Sequence, residues 1–282
     1  MIPFINFKNN NNPKCQFIHA NGFPPSAYTS LFNLLSNNLH IDAMLLRPHW
    51  NDDSGIEKLN NWNLFLEDFE KYINENNIIH NYGIGHSIGG NLLLRSCINN
   101  KNLFKSIVLL DPTIFIPSIV YLWKFVSYIP HLNSFFPLAK SARNRRKVFN
   151  NKDDVFQSYK NKRIFSKIPK EQLKEYIDSI FTYNDNTKNV ELNYRRKWEE
   201  KIYLKSLLMD MHIWNNIDKL QTPTLIIIPE LNPVFRFSAS KKILSNKYIS
   251  IKSIKKSTHL FPLEQADSTF KLIKDFFNDL NI

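Results

Sequence analysis

The chain has 282 residues, 43% of them hydrophobic, with a formal net charge of +12 and two cysteines. That length accommodates one large core with an insertion, and two isolated cysteines, Cys15 and Cys97, exclude a disulfide framework and suit a reducing compartment. The positive charge does not imply a nucleic-acid partner, because zinc-finger spacing, RNP-like motifs and an aromatic stacking platform are all missing. Met1-Ile2-Pro3-Phe4 lacks the basic start and long apolar core of a signal peptide, so a cytoplasmic location is expected. The most apolar window, 107–130, contains Asp111, Lys124 and several prolines. It reads as a strand followed by a helix, which rules out an integral membrane contact.

Taken in order, the first strand is expected at Cys15–His19, an apolar run ending in the turn Asn21-Gly22-Phe23-Pro24. A second follows at Ile41–Leu46. Trp62, Phe65, Leu66, Phe69 and Ile73 then recur at helical spacing and mark a core-facing helix. Ile78–Ile84 is the third strand, and it runs into Gly83-Ile84-Gly85-His86-Ser87-Ile88-Gly89-Gly90 before a leucine-rich helix at Asn91–Arg95. Phe104–Leu110 is the fourth, closing on Asp111. Strands at Thr224–Ile228 and Tyr248–Ile254 complete the set, and Phe270, Ile273, Phe277 and Leu280 form a last core helix. Strands alternating with helices predict an α/β fold with a mostly parallel sheet covered on both faces.

The G-x-S-x-G around Ser87 carries the chemistry. A strand that ends in a turn too tight for flanking side chains needs glycines at Gly85 and Gly89, and it leaves the serine exposed as a nucleophile. The following helix aims its N-terminus at the reacting centre, where its dipole and free N–H groups favour a developing oxyanion. Near the C-terminus, Ser257-Thr258-His259-Leu260-Phe261-Pro262-Leu263-Glu264 supplies a histidine. Serine, then acids, then histidine is the chain order of one hydrolase class and differs from the trypsin-like and subtilisin-like orders. On these two segments and the apolar strand end and glycine turn Phe17–Pro25, in this order and spacing, residues 14–280 resemble the α/β-hydrolase fold family, near its esterase, lipase and lactonase-like branch.

The resemblance implies Ser87 as nucleophile and His259 as general base, with oxyanion donors from the backbone N–H of Ile88 and of Phe23. Asn21 stands where the family usually has histidine, and His19 lies two residues earlier, so a shift of one or two residues from Phe23 as the first donor stays open. It also implies a helical cap inserted after the family's strand six, dividing the chain into a core of 1–111 and 221–282 and a cap of 112–220. The cap would begin with the apolar helix Pro117–Val126, whose Trp123 and Phe125 would line a substrate pocket, with His86, beside the nucleophile, shaping it. The excess charge gathers in that segment, which holds 20 Lys and Arg against 11 Asp and Glu. Its densest point is Arg143-Asn144-Arg145-Arg146-Lys147, which reads first as a solvated face and leaves open a weak contact with an anionic surface.

The acid departs from pattern. The family's usual aspartate position, in Pro229-Glu230-Leu231-Asn232-Pro233, is held by Asn232. Asp111 is the candidate replacement; Glu230, or a Ser–His dyad with no acid, stay open. Serine at the elbow argues against dehalogenases and epoxide hydrolases, which use a carboxylate. The expected activity is hydrolysis of carboxylic esters with a hydrophobic part through an acyl-enzyme, on a small-molecule substrate and without metal or cofactor. A thioesterase, a carbon–carbon bond hydrolase and a catalytically weak ligand-binding homologue are the alternatives, and the oligomeric state is left open.

Overall fold

The computed structural model describes residues 1–7, 12–50, 55–127, 136–205, 211–235 and 240–280. Its strands in chain order are β1 (Phe4–Phe7), β2 (Lys14–Ile18), β3 (His40–Met44), β4 (Asn81–His86), β5 (Phe104–Leu110), β6 (Val148–Phe149), β7 (Phe181–Asn184), β8 (Asn189–Leu192), β9 (Thr224–Pro229) and β10 (Ile249–Ile254). Seven of them make one sheet in the order β1-β3-β2-β4-β5-β9-β10. All its pairings are parallel except β1 with β3. The expected six-strand parallel sheet is therefore present, with β1 added at one edge.

Apolar runs form the central strands β5 and β9, where both faces of the sheet are buried, whereas edge strand β10 exposes Ser250, Lys252 and Ser253. Side chains alternate between faces, so Val108, Leu110, Leu225 and Ile227 join one core, while Ile107, Leu109, Ile226 and Ile228 join the other. The first core is covered by helices Thr29–Leu35 and Ala266–Asp279, through Leu31, Phe32, Ile273 and Phe277. The second is covered by helices Asn63–Glu75 and Ile88–Asn99, through Phe65, Phe69, Leu92 and Leu93. Cys15 and Cys97 are both buried and free.

The chain between β5 and β9, where a helical cap is expected, holds strands as well as helices. Helices Pro117–Ser127, Pro137–Arg143, Lys152–Lys160, Lys170–Ile180 and Arg196–Lys205 are joined by a small antiparallel sheet in the order β6-β8-β7. These strands are two to four residues long and only partly covered, which leaves no apolar run to betray them. Among the described residues, no helix is long and apolar enough to cross a membrane. Residues 128–130 of the apolar window lie outside the described residues.

Candidate active site

Ser87 is the single residue between β4 and helix Ile88–Asn99, and it sits at φ +58°, ψ −116°. Such a conformation costs a non-glycine residue on the order of 1–3 kcal/mol and persists only where its surroundings hold it. Here its N–H donates to the Leu110 carbonyl at 3.0 Å, and its own carbonyl accepts from Thr113 at 3.1 Å and from Asn91 at 3.2 Å. The flanking glycines are required by contact: a Cβ on Gly89 would lie 2.0 Å from the Ile18 carbonyl oxygen, and one on Gly85 would lie 2.5 Å from that of Gly89. The Ser87 hydroxyl shares a 3.1 Å hydrogen bond with Thr113 Oγ1.

Asp111 follows β5 at φ +39°, fully buried, with its N–H donated to the Ile227 carbonyl at 2.7 Å. Its Oδ2 bonds His259 Nδ1 at 2.6 Å and accepts the Val234 N–H at 3.0 Å, while Oδ1 accepts the Phe235 N–H at 3.0 Å. Glu230 points elsewhere: it is exposed and accepts the Lys256 N–H at 2.7 Å. Asn232 is exposed as well, at φ +51°, a left-handed turn position that asparagine tolerates.

His86, expected to shape the pocket, is not among the residues that line it. It is fully buried; its Nε2 bonds the His259 carbonyl oxygen at 3.0 Å, and its Nδ1 meets Tyr28 Oη at 2.7 Å. A carbonyl can only accept, so the proton sits on Nε2 and Tyr28 donates to Nδ1. Tyr28 Oη in turn accepts the Ala20 N–H at 3.3 Å. Burial, followed by the charge of His259, holds His86 well below the usual imidazole range and keeps it neutral. The backbones of His259 and of the turn after β2 are thus tied through one buried chain.

Ser87 and His259 line a cavity of about 120 Å³ with Thr113, Ile88 and the apolar side chains of Phe23, Trp62, Phe115 and Leu138. Trp123 and Phe125 do not line it. Trp123 packs on Phe136, which does, at 5.2 Å between ring centroids, whereas Phe125 is 68% exposed. Ile88, as first residue of its helix, has an N–H without an intrahelical acceptor. The Phe23 N–H is committed to the Ala20 carbonyl at 3.2 Å, in a turn with Gly22 at φ +80°. Asn21 is buried and bound to the insertion: its Nδ2 donates to the Glu199 carbonyl at 3.2 Å, and its Oδ1 accepts from Tyr194 Oη at 2.7 Å.

The residues that sequence reasoning missed are Thr113, Tyr28, Val234 and Phe235. Thr113 was within reach, two positions after Asp111. Tyr28 and the two amide donors meet their partners only through tertiary packing. Among the described residues, no group of three or more His, Cys, Asp and Glu side chains is placed to hold a metal ion.

The chain is similar along nearly its whole length to several solved hydrolases. An E-2-(acetamidomethylene)succinate hydrolase is 16% identical, with a TM-score of 0.76 over 95% of this chain and 92% of that one. MenH from S. aureus is 16% identical, with a TM-score of 0.71 over 100% of both chains. The thioesterase domain from the curacin biosynthetic pathway is 13% identical, with a TM-score of 0.71 over 96% of this chain and 94% of that one. At these identities the likeness speaks for the fold alone. No curated protein sequence matches the chain. The family model Hydrolase_4, described as serine aminopeptidase S33, matches residues 51–265, a span that includes Ser87, Asp111 and His259. The chain belongs to this family of α/β-hydrolases.

Proposed function

We propose that the protein hydrolyses carboxylic esters with a hydrophobic part through an acyl-enzyme, with Ser87 as nucleophile, His259 as base and acid, and Asp111 as the orienting carboxylate. The observation that carries this reading is the 2.6 Å bond from Asp111 to His259 Nδ1, with His259 and Ser87 lining one apolar cavity. All three stand beyond the carboxyl ends of parallel strands, where open α/β sheets bind ligands. The Ser87 hydroxyl turns from Thr113 toward His259 Nε2, which takes its proton as Oγ bonds the ester carbonyl carbon. The carbonyl oxygen gathers the displaced electron pair and is met by the Ile88 N–H at the helix terminus. Collapse of the adduct expels the alcohol, which carries off the proton from His259. Water, deprotonated by the same imidazole, then releases the acid and regenerates Ser87. Phe23 supplies a second oxyanion donor once its amide is shared away from Ala20.

Residues 112–220 act in this reading as the cap that covers the pocket. Although the family's description names an aminopeptidase, the lining of this cavity favours esters. Among the described residues, no Asp or Glu side chain lines it to receive a substrate α-ammonium group. In the decisive assay, Ser87→Ala is expected to abolish hydrolysis of short 4-nitrophenyl esters with an unchanged melting temperature. Retention of more than a small fraction of the wild-type rate would refute the assignment.

A further inference from the structure

Beside the catalytic cavity lies a second one of about 560 Å³, and the two share Phe23, Leu138, Ile164 and Tyr203 as a common wall. Its remaining lining is unlike the first. Lys140, Arg145, Arg146 and Lys162 bring four cations to it, against one carboxylate, Glu199. That carboxylate is already used. Arg145 Nη2 pairs with Glu199 Oε1, and Arg145 Nη1 donates to Tyr159 and Tyr176, both at 3.1 Å. This pair is internally compensated, so the other three cations stand as net charge around the cavity. Lys162 Nζ lies 3.9 Å over the Tyr159 ring, and the Arg146 guanidinium lies 4.2 Å over Phe149. Among the described residues, no carboxylate is within ion-pair distance of Lys140, Arg146 or Lys162. Lys162 is held below the usual lysine range, first by burial and then by the charge of Arg145. Cations crowded in this way, next to a site for chemistry, are relieved by an anion.

We propose that this cavity binds an anionic group, carboxylate or phosphate, carried by the substrate at the end remote from the bond that Ser87 attacks. The inference rests on the serine-hydrolase reading above and narrows its substrates to amphipathic acyl compounds that end in an anion. The apolar wall at Leu138 and Ile164 contacts the chain that joins the two ends, and Lys140 and Lys162 meet the charge.

The test compares 4-nitrophenyl octanoate with mono-4-nitrophenyl suberate, which has the same chain length and ends in a carboxylate. Wild type is expected to favour the suberate in kcat/KM by about tenfold or more, through KM. In the double variant Lys140→Met/Lys162→Met that ratio should fall to near one, whereas Lys105→Met, a lysine on β5 outside this cavity, keeps it. Raising salt from about 50 to 500 mM should shrink the wild-type ratio, which tests the charge without any substitution. Equal treatment of the two esters by wild type, or a ratio unmoved in the double variant, would overturn the proposal. If neither ester is cleaved, the serine-hydrolase reading fails by itself, and calorimetry decides the cavity. Suberate or inorganic phosphate should then bind wild type and not the double variant, the tighter of the two naming the group, and binding of neither would overturn the proposal.

Discussion

The carboxylate of Asp111 takes three hydrogen bonds, and only one of them comes from His259. The other two come from Val234 and Phe235, in the segment after β9 where the family's usual aspartate position holds Asn232. This segment therefore supports an acid on the neighbouring strand in place of carrying one. Asp111→Asn puts an NH2 where one oxygen had faced a donor, and it removes the charge that stabilises the imidazolium. A loss in kcat of roughly 10²–10⁴ is expected, with KM little changed. Asn232→Asp and Glu230→Gln should stay near wild type, because Asn232 is exposed and the Glu230 carboxylate is bonded to the Lys256 N–H, away from His259. A silent Asp111→Asn, together with a strong gain in Asn232→Asp, would mean that the working acid was lost from the family's usual place.

At the scale of elements, buried neutral histidines tie loops together: His86 links the loop carrying His259 to the turn after β2 through Tyr28, and His19 links that turn to Leu46 after β3. His19 donates from Nδ1 to the Ala20 carbonyl at 2.8 Å and accepts the Leu46 N–H on Nε2 at 3.1 Å. Burial pushes it down to about 4, and His49 and His86 are also held well below their ordinary range. An unfolded chain binds a proton at each near pH 6.5 while the folded one resists it, so their stabilisation is complete above that pH and is lost on acidification. For His19 alone, the loss between pH 6.5 and 4 is on the order of 3 kcal/mol. Urea midpoints should hold from pH 7.5 to about 6.5 and fall from there to pH 4.5, and the fall should be shallower in His19→Gln even though that variant is less stable at pH 7.5. A flat profile would show that these rings charge freely in the fold.

Across the whole molecule, what the sequence made legible was the part whose residues have one reason to be where they are. Strands buried on both faces need unbroken apolar runs, and the elbow needs glycines on either side of Ser87, so both could be read directly. β1 and β6–β8 could not, because short, half-covered strands carry no such run. The helix Pro117–Ser127 misled for a related reason: its apolar residues invite burial, yet Tyr121, Leu122 and Phe125 are exposed. The basic run at 143–147, read as a solvated face, is exposed at Arg143, Asn144, Arg146 and Lys147, and Arg145 is the member that turns inward. Arg143 pairs with Glu200 at 2.6 Å and Arg145 with buried Glu199. Which side chains Asp111 and His86 would meet depended on register between distant elements, which no local pattern encodes. The central claim, an activated Ser87 served by His259 and Asp111, is tested most directly by mass spectrometry of the intact protein after brief exposure to a fluorophosphonate. The expected result is one adduct per chain, mapped to Ser87, absent in Ser87→Ala and markedly slowed in His259→Ala and Asp111→Asn. No adduct, or an adduct that persists in Ser87→Ala, would contradict it.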